Sequence, residues 1–301
     1  MTIAKAGAET AANLDEAVGF TLPGRDARGR MVRLGPLLDQ ILAAHEYPAP
    51  IARLLSEALT LTALLGAMLK DAGGQLTLQA QTESGIIDLL VCDYRGGELR
   101  GYVRFDQDRL AEAPLLPSLF ALFGKGYLAI TFDQAVSGER YQGIVPLEGD
   151  SLADAAQSFF GQSEQIPSFV RLAVNDTGHI AGGLLVQHLP EGEEGRDRLD
   201  HPEWEHVRIL AETIKAGELV DQQVSLEDLL WRLFHEEEEI RVLARVPLVK
   251  GCRCDSAHIH DVISRFPAPE REAMASADGV ITVDCEFCSR AFPIPLEDLQ
   301  D

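Results

Sequence analysis

The feature that most constrains this chain is a group of four cysteines near its C-terminal end: Cys252-Arg253-Cys254 and, after a gap of thirty residues, Cys285-Glu286-Phe287-Cys288. The only other cysteine is Cys92. Four thiols gathered in the last fifth of a 301-residue chain imply a ligand or a covalent framework. A tetrahedral zinc ion takes four thiolates at about 2.3 Å each, and closed all-cysteine sites are usually structural. Cys285 and Cys288 have the usual chelate spacing. Cys252–Cys254 is tighter, and the loop between the pairs is longer than in ordinary zinc ribbons. The pattern predicts one zinc ion per reduced chain, held by Cys252, Cys254, Cys285 and Cys288. Two structural disulfides are the competing reading. His258 and His260 are possible substitute ligands, set against the ordinary role of solvated loop histidines.

The tight pair also carries redox chemistry. A disulfide places its Cα atoms about 4.4–6.8 Å apart, which residues i and i+2 reach only if the chain bends. A Cys252–Cys254 bridge would therefore be strained, and strained, exposed disulfides are the labile and regulatory ones. Zinc keeps its ligands as thiolates, the form that oxidants attack. The same four residues thus read as a metal site when reduced and as two disulfides when oxidised.

Charge and hydropathy narrow the class. A net charge of −22 opposes a general nucleic-acid binder, because phosphate binding needs a basic face. The first twenty residues carry no apolar region of the secretory type, and no run approaches eighteen uninterrupted apolar residues, so no membrane span is expected. A cytoplasmic, reducing location follows as the expectation. There, clustered cysteines more often mean metal or redox chemistry than structural disulfides.

Residues up to Asp15 read as a loose, Ala-rich arm. Arg30–Leu34 predicts a strand and Gly35–His45 a short helix, broken by Pro48-Ala49-Pro50. Ile51–Lys70 has helical spacing with a broad apolar face. From Gln75 to Phe105 the period falls to two, with turns at Glu83-Ser84-Gly85 and Arg95-Gly96-Gly97, which is an antiparallel meander. Cys92 lies in it as a small core or boundary side chain. Tyr127–Phe132 and Arg140–Val145 form a second hairpin around Val136-Ser137-Gly138. Ser151 begins a capping box and a helix reaching Gln162. Phe169–Val174 and Ile180–Gln187 pair across Asn175-Asp176-Thr177-Gly178.

The predicted fold class is α+β: a mostly antiparallel sheet domain with helices over 14–190, a helical linker over 191–248, and a small four-cysteine zinc and redox-switch domain over 249–301. No nucleotide fingerprint, P-loop, Ser/His/Asp set or paired carboxylates stands out, so no catalytic or organic-cofactor residue is predicted.

Within the linker, Pro190–Asp200 is charged and Pro202 opens a helix. Its stripe is Val207, Leu210, Ala211 and Ile214, and Gly217 is read as its end. Ser225 caps a second helix bearing Leu226, Leu229, Leu230, Leu233 and Phe234. That helix is read as continuing through Glu236–Glu239 to Ile240 and Leu243. The like-charged pair Glu236/Glu239 would cost it about a few tenths of a kcal/mol, offset in part by Arg232 and Arg241. Such a helix pair is marginal unless something covers it. Its neighbour, the cysteine unit, is too small for a comfortable core, and zinc would supply roughly 10–16 kcal/mol. Removing zinc should unfold the unit and uncover the Leu226–Leu243 stripe.

Several segments together resemble the redox-regulated chaperone family called heat-shock protein 33. They are the two cysteine pairs with their gap, Arg140-Tyr141-Gln142-Gly143-Ile144-Val145, Ser163-Glu164-Gln165-Ile166-Pro167, Gly182-Gly183-Leu184-Leu185-Val186-Gln187 and Leu233-Phe234-His235-Glu236-Glu237. The resemblance runs from Phe20 to Leu299. It implies a holdase that uses no ATP and is no enzyme, inactive while reduced and zinc-bound. It further implies that oxidant with mild unfolding forms the disulfides Cys252–Cys254 and Cys285–Cys288 and releases the metal. The linker then loosens, apolar surface binds unfolding client proteins, and the active form is a homodimer.

Two other classes compete. A nucleic-acid-binding zinc-ribbon regulator is opposed by the acidity. The other is an enzyme, either a zinc hydrolase or a thiol oxidoreductase. A zinc hydrolase needs an open coordination position, which four thiolates close. A thiol oxidoreductase usually sets Cys-x-x-Cys near a βαβ pattern, which the surroundings of Cys285 do not clearly show.

Overall fold

The structure, a computed structural model, describes residues 14–69, 73–82, 84–115, 117–136, 138–175, 177–189 and 202–299. Residues 1–13 of the expected Ala-rich arm, the charged Pro190–Asp200 segment, the helix end at Lys70 and the turn residues Glu83, Ser137 and Asp176 lie outside these; Asp15, at the arm's end, is held by its N–H on the Arg33 carbonyl and its carboxylate on the Gly35 and Leu37 N–H groups.

A hairpin of β1 (Glu16–Leu22) and β2 (Ala27–Leu34) leads into α1 (Pro36–Leu42) and α2 (Ala49–Gly66). Both helices carry proline in the first turn, where its missing N–H has no intrahelical partner to lose. The sequence predicts only Arg30–Leu34 in this hairpin. In β1 the run Ala17–Phe20 is buried on both faces, so its side chains show no alternation to read. The meander β3 (Gln75–Thr82), β4 (Ile87–Arg95) and β5 (Glu98–Phe105) follows as expected. Short helices α3 (Gln107–Ala111) and α4 (Leu119–Phe123) connect it to the hairpin β6 (Gly126–Asp133) and β7 (Arg140–Pro146). Helix α5 (Leu152–Phe159) starts at the Ser151–Asp154 capping box and ends in a π-helical turn, Phe160–Glu164. The hairpin β8 (Ser168–Val174) and β9 (Ala181–His188) completes this part.

The linker holds α6 (Pro202–Glu212), α7 (Ala216–Leu219), α8 (Leu226–Phe234) and three two-residue strands, β10 (Arg241–Val242), β11 (Val246–Pro247) and β12 (Val249–Lys250). The C-terminal unit adds α9 (Ser256–Ser264), α10 (Ala268–Met274) and the hairpin β13 (Val280–Asp284) and β14 (Ala291–Pro295).

Two sheets face each other across α2. The first has the order β10-β1-β2-β9-β8, with β11 also on β1, and the second β12-β5-β4-β3-β6-β7. Every ladder among the described residues is antiparallel except β12 on β5. Alternation along the first sheet sorts its side chains. Ala17, Val32, Leu34 and Leu185 join Leu55, Leu59 and Leu64 of α2 and Leu76, Leu78 and Leu90 of the second sheet. Val18, Phe20, Leu22, Met31, Leu184 and Val186 point the other way, into a separate core with Trp204, Val207, Leu226, Leu230 and Phe234 of the linker helices. The first sheet is therefore covered on both faces. α2 is the one described helix long and apolar enough to cross a membrane, and it is 72% buried inside the protein. Cys92, in β4, is fully buried in the same core.

Two linker expectations are corrected. α6 stops at Glu212, not at Gly217, which lies inside α7. The break forms because Thr213 and Ile214 bond back only three residues, and Lys215 is extended with its N–H taken by the Glu218 carboxylate. α8 ends at Phe234, so the glutamate run is not helical. Arg232 pairs with Glu218 and Arg241 with Glu239 instead of the expected Glu236 and Glu237.

Candidate metal and redox site

The first thiol pair leaves directly from the edge of the second sheet. Val249 N–H donates to the Gly97 carbonyl (3.0 Å) and Gly251 N–H to the Leu99 carbonyl (2.9 Å), so Cys252 follows the last ladder bond. Gly97 has φ +91°, and a Cβ there would lie 2.7 Å from the Pro247 carbonyl oxygen. Only glycine admits the close approach of the 246–251 segment at this contact. Asp255 then caps α9 by accepting from the Ala257 N–H. The second pair sits in the turn between β13 and β14. Cys288 and Ser289 N–H groups both donate to the Cys285 carbonyl (3.2 and 2.8 Å), and Ser289 takes a left-handed φ of +53°.

These two turns bring all four sulfurs within 4.8 Å of one another. The Cys252–Cys254, Cys252–Cys285 and Cys254–Cys288 separations are 3.3, 3.6 and 3.7 Å. A disulfide would need about 2.05 Å, and all five cysteines are free. For metal bonds of about 2.3 Å, a tetrahedron of sulfurs has an edge of about 3.8 Å. The donor set and its spacing fit a four-thiolate zinc. His258 and His260 are not in the cluster, and the His260 ring bonds the Asp298 carbonyl instead.

Crowding makes the thiols unequal. Burial opposes ionisation of Cys252, but the Cys254 backbone N–H and the neighbouring thiols outweigh it and bring the pKa down to about 7. Burial, with the shared protons of Cys252 and Cys288, pushes Cys254 up to about 12. Cys285 is raised by burial, against the N–H groups of Phe287 and Cys288. A bound cation would overcome this resistance to ionisation, since metal ligation deprotonates thiols outright.

The cysteine unit packs on the outer face of the second sheet. The Phe287 ring meets Tyr102 of β5 edge-on, with centroids 4.9 Å apart, and the Arg100 guanidinium lies 3.9 Å from its centroid. His45 Nε2–H donates to the Glu286 carbonyl (2.8 Å) and its Nδ1 accepts from the Ser289 hydroxyl (3.1 Å). Arg253 donates to Gln75 Oε1 of β3 (2.6 Å). The unit's own core is small: Ile263, Ile281, Ile294 and Leu299.

The linker layer has polar anchors that periodicity does not reveal. Arg33 is fully buried on β2 and donates to the carbonyls of Leu219 (2.8 Å), Val224 (2.6 Å) and Glu218 (3.1 Å). Gly182, its partner on β9, leaves room for the Leu219 carbonyl. Glu237 accepts from Arg25 Nε (2.7 Å) and pairs with His206 Nε2 (2.7 Å), joining the β1–β2 turn, α6 and the turn after α8.

Comparison with known proteins agrees with this architecture. A family model described as Hsp33 protein matches residues 15–294. The chain belongs to the Hsp33 family. Its Hsp33 relatives include a 33 kDa chaperonin of Caulobacter vibrioides, 43% identical over 93% of this chain and 95% of the relative. The 33 kDa chaperonins of Pseudomonas paraeruginosa and Shigella boydii are 36% and 35% identical, covering 95% and 88% of this chain and 93% and 87% of theirs. The crystal structure of the Hsp33 homologue of Thermotoga maritima superposes with a TM-score of 0.77 at 22% identity, over 95% of this chain and 96% of that one. That likeness supports the α+β fold, and the family supports a chaperone function.

Proposed function

We propose that this chain is a redox-switched holdase that binds unfolding proteins without ATP under oxidative stress. One observation carries the reading. The apolar outer face of the first sheet is buried under linker helices, and those helices are joined to the thiol cluster by the short strap from Arg241 to Gly251. The strap lies on both sheets: Leu243 and Leu248 N–H groups donate to the Gly19 and Asp15 carbonyls at the first, Val249 and Lys250 pair with β5 of the second, and Leu248 is buried in the central core.

Cys252, Cys254, Cys285 and Cys288 would hold one zinc ion in the reduced chain. Bound there, zinc would supply thiolate stabilisation and a cross-link that the small core around Ile263 and Ile281 does not supply alone. One thiolate of each pair then attacks a peroxide oxygen. That sulfur takes one oxygen as a sulfenic acid while hydroxide leaves, and the neighbouring thiolate displaces a second hydroxide to close the disulfide. The bridges formed are Cys252–Cys254 and Cys285–Cys288, each giving two electrons to one peroxide. With its thiolates consumed, the 249–301 unit loosens, the strap releases the 191–248 linker, and the 14–190 domain offers Phe20, Met31, Leu184 and Val186 to clients. The active form is a homodimer. Free thiols of this kind belong in a reducing cytoplasm, and neither nucleic acid nor membrane is a partner.

The test follows zinc release and light scattering of a heat-denaturing protein together, before and after peroxide at elevated temperature. About one zinc per chain should leave as aggregation protection appears. Zinc that stays bound while protection is constant or absent would reduce the cysteines to a structural clasp.

A further inference from the structure

We infer that Phe287 and Tyr102 form a docking clasp that positions the second thiol pair on the core and restrains metal loss. The proposal deepens the switch reading and rests on it for its regulatory meaning. Phe287 is the third residue of Cys285-Glu286-Phe287-Cys288 and sits in the turn that holds both sulfurs. Zinc coordination asks nothing apolar of that position, yet its ring lies edge-on to Tyr102 at 4.9 Å and 3.9 Å from the Arg100 guanidinium. Arg100 is itself fixed by an ion pair with the buried Asp93 (2.6 Å). The cation therefore comes prepositioned for the ring, which favours such contacts.

His45 binds the same turn at two further points, the Glu286 carbonyl and the Ser289 hydroxyl. It is braced in turn by Tyr47, whose ring lies 5.0 Å away and whose hydroxyl accepts from the Val103 N–H at 3.0 Å. The two thiol pairs are thus tied to the core independently. Cys252 and Cys254 are tied through β12 and Arg253, and Cys285 and Cys288 through the clasp. For Cys285 and Cys288 to move away from the first pair, their turn must leave Tyr102. Undocking and metal loss are then one event, and the contact between Phe287 and Tyr102 sets how readily it happens.

The experiment is a double-mutant cycle with Phe287→Ala and Tyr102→Ala in the full-length zinc-loaded chain. Zinc transfer to a chelator is followed under reducing conditions, and again after peroxide. Each single variant should bind one zinc and lose it about tenfold faster than the parent. The double variant should be no faster than Phe287→Ala alone, which removes the Tyr102 and Arg100 contacts together, and Phe287→Tyr should restore slow loss. Tyr102→Ala lies outside the cysteine unit, so it keeps the test sound if Phe287→Ala fails to fold. Parental rates in both single variants, or effects that multiply in the double, would overturn the clasp. A parent that keeps its zinc under peroxide would contradict the switch reading alone, because the chelator comparison needs no oxidant.

Discussion

The Glu237 side chain is 6% exposed between Arg25 and His206. Burial works against its charge, but the bonds from Arg25 and His206 outweigh it and hold the carboxyl below its ordinary value of 4.5. A folded-state pKa below the unfolded one stabilises the fold above the unfolded value, and that contribution is lost as pH falls through the folded one. The linker layer should therefore loosen in acid below about pH 4.5. Glu237→Gln should lower its stability at pH 7 by about 1–3 kcal/mol and flatten the acid limb. Denaturant titrations at pH 7 and pH 4, read by the fluorescence of Trp204 and Trp231, check this. An unchanged midpoint at pH 7 would show that the anchor carries no weight. At the thiols, Cys285→Ser should abolish tight zinc binding and leave the C-terminal unit protease-sensitive even under reduction. Normal zinc content with normal resistance would remove Cys285 from the ligand set.

At the scale of elements, the linker helices are held by an apolar stripe and by a few polar anchors. Leu229 and Leu233 lie in the core that covers the first sheet. Replacing a buried leucine with alanine costs about 2–5 kcal/mol, which is large for a layer built from short helices. The Leu229→Ala/Leu233→Ala double variant should bind clients under reducing conditions while keeping its zinc. Inactivity of the reduced variant in a light-scattering assay would contradict the covered-surface account. This stripe was legible in the sequence because it depends on spacing within one helix. Ser151 and Ser225 were legible for the same reason, as each caps a helix within three residues of itself. The glutamate run misleads because its conformation is set from a distance. Arg25, which binds Glu237, is 212 residues away, and the helix yields to that contact. β1 escapes sequence reading because burial on both faces erases its alternation, and Arg33 because nothing local shows that its targets are the carbonyls of α7.

The whole molecule is a stack: linker helices, first sheet, α2, second sheet and cysteine unit. The strap from Arg241 to Gly251 runs along the edges of both sheets and connects the outermost layers. The four-cysteine cluster was legible because its chemistry needs only residue type and spacing. The docking of Phe287 on Tyr102 was not, since it joins two segments whose local patterns say nothing of each other. We propose that the thiol site holds the linker helices on the first sheet through this strap. The decisive measurement is hydrogen exchange on the reduced chain with zinc bound and on the reduced chain stripped of zinc, with no oxidant in either. Amides of α6 and α8 should lose protection on stripping while those of β3, β4 and β6 keep theirs. Equal protection of α6 and α8 in both samples would contradict it.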